Sequence, residues 1–153
     1  MESLEKNIEK SHGINLEARD KKTIRMAALL HDVGHTPFSH SLEKILGESH
    51  EKYSKNLIEN HFADIIEKVG VDPKEVSELI DGYSKKNYLS KIINGQLDVD
   101  RMDYLLRDSH YAGVSYGKFD LGRIINQSAI VDNQFVILEG GYEAIEQFIF
   151  ARD

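Results

Sequence analysis

The sequence contains no cysteine. Disulfides and thiolate metal sites are thereby excluded, and any bound metal must sit on His, Asp or Glu. The same absence fits a reducing compartment, so a cytoplasmic location is expected. Long apolar runs are missing too. The longest, Met26 to Leu30, falls far short of the roughly 20 residues that a membrane span needs. The charged start MESLEKNIEK lacks the apolar centre of a signal peptide, and no membrane partner is expected. No run of Lys and Arg exceeds two residues, and the formal net charge is -7. That balance argues against general nucleic-acid binding through a basic face. It still admits a phosphorylated small molecule, because a metal and a few placed cations make a local positive site on an acidic protein.

Proline is scarce, at two residues, and most of the chain reads as helix. Its 153 residues suit one domain, 1–153, around one core. Expected helices cover Glu2 to Lys10, residues 17–33 stopped by Gly34, and Phe38 to Leu46 after Pro37, closed by Gly47. Ser49 is the candidate cap of the next, which runs from His50 to about Glu59. Further helices are expected from His61 to Val69, from Asp72-Pro73 to Asp81-Gly82, and over Tyr88 to Asn94, Asp100 to His110 and Phe119 to Gln127. Then the period changes: Ala129 to Val131 and Gln134 to Leu138, around Asp132-Asn133, read as a hairpin. Tyr142 to Asp153 returns to helix, with Ile145, Phe148 and Ile149 on one face. The chain stops inside that helix without a cap, which reads as truncation. The expected fold class is all-α with one small β-hairpin near residues 129–138.

Two segments concentrate chemistry. Leu29-Leu30-His31-Asp32-Val33-Gly34-His35-Thr36-Pro37-Phe38-Ser39-His40 places three histidines and an aspartate behind an apolar helix. Adjacent His31 and Asp32 at a helix end can reach one point, and imidazole nitrogen with carboxylate oxygen is a good divalent-metal pair. The second segment, Gln96 to Asp108, interleaves charged groups with Val99, Met102, Leu105 and Leu106. There Asp100, Tyr104 and Asp108 are spaced by four and share a helix face, with Arg101 beside it.

Together the segments resemble the HD superfamily of metal-dependent phosphohydrolases, and within it the deoxynucleoside triphosphate triphosphohydrolase (dGTPase-like) branch. The likeness extends through the hairpin to the final EAIEQFIFAR helix. It implies a helical HD-domain bundle, a nucleotide substrate, a divalent metal (Mg, Mn, Fe, Ni or Zn) and a homo-oligomer. It implies that His31, Asp32 and Asp100 are metal ligands, and that His35 is a catalytic histidine near the α-phosphate. His40 resembles a phosphate or metal-water contact, and His50 with Glu51 a proton-handling pair. Arg101 resembles a triphosphate contact, Tyr104 with Asp108 the sugar-binding pair, and Arg152 a further phosphate-binding arginine.

The chain departs from the pattern at its start. The family's first histidine ligand lies on an earlier helix, and His12, in a Ser-His-Gly connector, is the sole histidine before His31. The domain is therefore expected to be incomplete at both ends, with apolar faces such as Ile145, Phe148 and Ile149 exposed. The expected reaction is metal-dependent hydrolysis of deoxynucleoside triphosphates to deoxynucleoside and triphosphate. Two alternatives stay open: action on another nucleotide, and a catalytically incomplete nucleotide-binding or assembly module.

Overall fold

The computed structural model describes residues 1–12, 16–38, 43, 45 and 47–153, with backbone alone at 10–12. Helices dominate: α1 (Glu2–His12), α2 (Ala18–Leu30), α3 (His50–Asn56), α4 (Ala63–Lys68), α5 (Pro73–Ile80), α6 (Asn87–Ile93), α7 (Val99–Ala112), α8 (Leu121–Gln127) and α9 (Tyr142–Arg152). A π turn, Leu57–His61, continues α3, and a 3₁₀ turn, Glu139–Gly141, precedes α9. Strands β1 (Ser128–Val131) and β2 (Gln134–Ile137) form the expected antiparallel hairpin. Its two turn residues, Asp132 and Asn133, both take positive φ, 47° and 59°, as the tight turn matched to strand twist requires. No helix among the described residues is long and apolar enough to cross a membrane.

The chain divides into two compact units, Met1–Leu16 with Gly95–Asp153, and Glu17–Asn94. In the first, the core is Met102, Phe119, Ile124, Ala144 and Phe148, with the Phe119 and Phe148 rings edge to face at 5.2 Å. Asn7 donates to the carbonyls of Ile125 and Ser128, tying α1 to the start of the hairpin. In the second, α5 packs on α2, on α6 and on the π turn. Its interior holds Ile24, Ala27, Ile58, Ile66, Val76, Leu79, Leu89 and Ile92. Asp72 caps α5 by accepting the Lys74 N–H at 2.9 Å, with Pro73 in the first turn.

Three sequence expectations are corrected. Helix α2 ends at Leu30, before Gly34, because the chain tightens into turns there: Val33 N–H donates to Leu30 O and His35 N–H to Asp32 O. Phe38 does not begin the expected Phe38–Leu46 helix, since its φ of 68° lies in the left-handed region; Glu43 and Ile45 are helical as expected, and residues 39–42, 44 and 46 lie outside the described residues. On α9 the buried positions are Ala144 and Phe148, spaced by four, while Ile149 is 41% exposed. Packing against Phe119 rotates the apolar face away from Ile149, so Phe148 is not exposed as truncation would have it.

Candidate metal centre

The turn after α2 brings the first segment's chemistry together. His31 ends α2, and its Nδ1 lies 3.0 Å from Ala28 O. A carbonyl only accepts, so Nδ1–H donates there and Nε2 is the ring atom left to face the site. That Nε2 lies 3.4 Å from Asp32 Oδ2. On the other side, His35 Nε2 is 3.6 Å from Asp32 Oδ1. The Asp32 carboxylate therefore stands between the two imidazoles.

Helix α3 supplies the third histidine. His50 stacks on His35, ring centroids 3.9 Å apart and planes within 12°. Ligand atoms of Asp32, His35 and His50 all lie within 4.8 Å of one another, a group able to hold a metal ion. His31 and Asp32 were expected as ligands and His35 and His50 as proton carriers; all four sit in this one turn-and-helix assembly.

Sequence reasoning missed Glu43. Its carboxylate accepts from the His50 ring Nδ1–H and, at 3.0 Å, from the His50 backbone N–H. It thus serves as both the helix cap and the ring's orienting partner. Ser49, the expected cap, makes no side-chain capping bond. Glu51, the expected partner of His50, is instead exposed and lines a neighbouring cavity of about 320 Å³ with Lys52, Lys55, Asp81 and Tyr83. The signal that could have pointed to Glu43 is Gly47, whose positive φ of 71° reverses the chain between the two residues. His40 lies outside the described residues, as does the side chain of His12.

The second segment lies on α7, in the other unit. Asp98 is its cap: the buried carboxylate accepts the Arg101 N–H at 2.7 Å and lies 3.4 Å from Arg101 Nε. Asp100 sits in the first turn, half-buried, where an anion gains from the helix dipole. Tyr104 and Asp108 are exposed further along the same face. The Arg101 guanidinium leans back on Asp98 and on Gln96 O, and Arg152 on α9 pairs with Asp153.

The sequence profile of the HD domain family matches residues 4–108. A crystal structure of a phosphohydrolase from Bacteroides thetaiotaomicron superposes with a TM-score of 0.85 at 34% identity, covering 99% of this chain and 37% of that one. The uncharacterized protein YwfO of Bacillus subtilis is 43% identical over 129 residues, 82% of this chain and 30% of the relative. A deoxynucleoside triphosphate triphosphohydrolase SAMHD1 homolog of Dictyostelium discoideum is 32% identical over 140 residues, 82% of this chain and 27% of the relative. The chain thus spans about a third of the length of these proteins. With the profile running from α1 through most of α7 and the solved fold superposing end to end, this chain belongs to the HD domain family.

Proposed function

We propose that this domain hydrolyses deoxynucleoside triphosphates, releasing deoxynucleoside and intact triphosphate. The observation that carries the reading is the convergence of Asp32, His35 and His50 within 4.8 Å, beside a His31 whose Nε2 faces Asp32. The kinship with a relative named as a deoxynucleoside triphosphate triphosphohydrolase supports the substrate class.

A mixed set of imidazole nitrogens and carboxylate oxygens fits a divalent ion of the Mn, Fe, Ni or Zn kind, with Mg favoured only by the oxygens. Asp32 would hold it together with the imidazoles gathered around its carboxylate, and the family resemblance assigns His31 beside it to the same role. Such an ion supplies polarisation of a phosphate oxygen and orientation of a water.

The remaining work falls to the chain's own side chains. Release of intact triphosphate requires water to add at the α-phosphorus and the bond to the 5′ oxygen to break, with one proton lost by the water and one gained by the leaving oxygen. His50, its Nδ1–H held by Glu43, offers Nε2 for that proton traffic. His35, stacked on His50 and next to Asp32, is placed to receive or return the second proton. Arg101, His40 and Arg152 are the candidate triphosphate contacts. Tyr104 and Asp108, one turn apart, present a ring face and an acceptor for a deoxyribose.

The test is bound metal per chain, with triphosphate release from a nucleotide panel, for the wild type beside Asp32→Ala. Metal near one per chain, lost in the variant, together with triphosphate from dNTPs, is the expected result. A metal-loaded protein that leaves every dNTP intact would sink the proposal, and cleavage of another nucleotide in the panel would establish the alternative substrate.

A further inference from the structure

We infer that Ser54 is a positioning residue for this site: its hydroxyl clamps the turn carrying Asp32 and His35 onto the helix carrying His50. The inference rests on the reading of the site given above. Ser54 is fully buried, at 0% exposure. Its hydroxyl accepts the Gly34 N–H at 2.9 Å and donates to the His31 carbonyl at 3.0 Å. Both partners belong to the turn between α2 and His35, 20 and 23 residues away in sequence.

A helical serine ordinarily spends its hydroxyl on a carbonyl of its own preceding turn. Ser77 on α5 keeps such a bond, to Lys74 O, beside a second contact with the Glu59 carboxylate. Ser54 does not. It lies four residues after His50 on α3, so both side chains leave the same helix face. One reaches the turn's backbone and the other stacks on His35, so the hydroxyl bridge and the ring stack close a single loop of contacts.

Gly34 shows how tight that seat is. A Cβ there would fall 2.2 Å from Ser54 N and 2.6 Å from His50 O. The helix backbone rests directly on the turn, and the Ser54 hydroxyl bonds the two where they meet. Removing the hydroxyl strips a buried N–H and a carbonyl of their partner at once. The turn must then shift to recover bonds, and Asp32 and His35 move with it.

The experiment compares Ser54→Ala and Ser54→Cys with Ser77→Ala, an equally buried hydroxyl deletion in the same unit. Two readouts are taken on the full chain: the ring C–H resonances of His35 and His50, which report their stacking, and Mn²⁺ affinity by calorimetry. In Ser54→Ala both ring resonances should move toward unstacked positions and Mn²⁺ binding should weaken by about tenfold or more. Ser54→Cys, which keeps a weak donor of similar size, should fall between, and Ser77→Ala should change only the melting temperature. Should Ser54→Ala fail to fold, the cysteine variant alone decides by the same two readouts. Ring resonances and affinity that stay where Ser77→Ala leaves them would overturn the inference. If the wild type binds no Mn²⁺ but the rings unstack only in the Ser54 variants, the positioning role stands and the metal reading fails.

Discussion

The two chemistry-bearing segments are built in opposite ways. On α7, the helix itself aligns Asp100, Tyr104 and Asp108 by repeating every four residues. Around His31 to His35 there is no such regularity. Those residues lie where the helix has ended, and their arrangement depends on a separate helix, a distant glutamate and a buried serine hydroxyl. A helix face survives most single changes, because its spacing is intrinsic to the backbone. A turn held by tertiary contacts is as accurate as those contacts and fails with any one of them.

That contrast can be broken most forcefully at Gly34. Gly34→Ala puts a methyl against backbone atoms of α3 that cannot swing aside, so unfolding in urea should show a loss of about 3 kcal/mol. A stability unchanged within error would mean that α3 does not sit on the turn as described. Next comes Glu43. Glu43→Gln keeps the size but weakens the charge-assisted bond to His50, and should lower dNTP turnover or metal affinity by about tenfold. Glu51→Gln, at an exposed position, should leave both near wild type. The reverse order would return the proton-handling role to Glu51.

On the helical side the effects are smaller. Asp98→Ala removes the cap of α7 and should cost about 1–2 kcal/mol, seen as a lower melting temperature, while the spacing of Asp100, Tyr104 and Asp108 persists. Smallest of all is Lys86, whose ammonium bonds Asp20 between α6 and α2. That hydrogen bond holds Lys86 above the usual lysine value against the opposing effect of burial. Its contribution is therefore complete below the ordinary lysine value and is lost as pH rises through the higher folded one. Lys86→Met should lower stability at neutral pH by at most about 1 kcal/mol, since solvent reaches the half-exposed lysine and screens the pair. The gap to wild type should close in strongly alkaline buffer.

Legibility in the sequence followed the same divide. Periodicity, Asp72-Pro73 and the polar turn Asp132-Asn133 located most helices and the hairpin, because each encodes a local backbone preference. The spacing by four put Asp100, Tyr104 and Asp108 on one face, but it did not mark Asp98 as the cap, which the structure shows just ahead of them. Glu43 and Ser54 were opaque. Their partners lie 7, 20 and 23 residues away, and no spacing rule reaches across an irregular turn. Gly34 was read for conformational freedom when its importance is the missing side chain. Ile149 was misplaced because an apolar stripe tells only roughly which way a helix is turned until its neighbour is known.

The π turn at Leu57–His61 has an implication for how this domain tolerates change in length. Phe62 N–H reaches back five residues to Leu57 O, so the helical run that begins at His50 accommodates one residue more than an α-helix would in the same turn. Such a widened turn absorbs the extra residue locally, leaving Ser54 and His50 upstream and Ile66 downstream each facing where it must. Losing one residue between Leu57 and His61 would let the run relax to an ordinary helix while the residues beyond it keep their facing. A one-residue deletion in this stretch should therefore be tolerated in the folded domain, where the same deletion within the regular turns of α2 or α7 would turn the remainder of the helix.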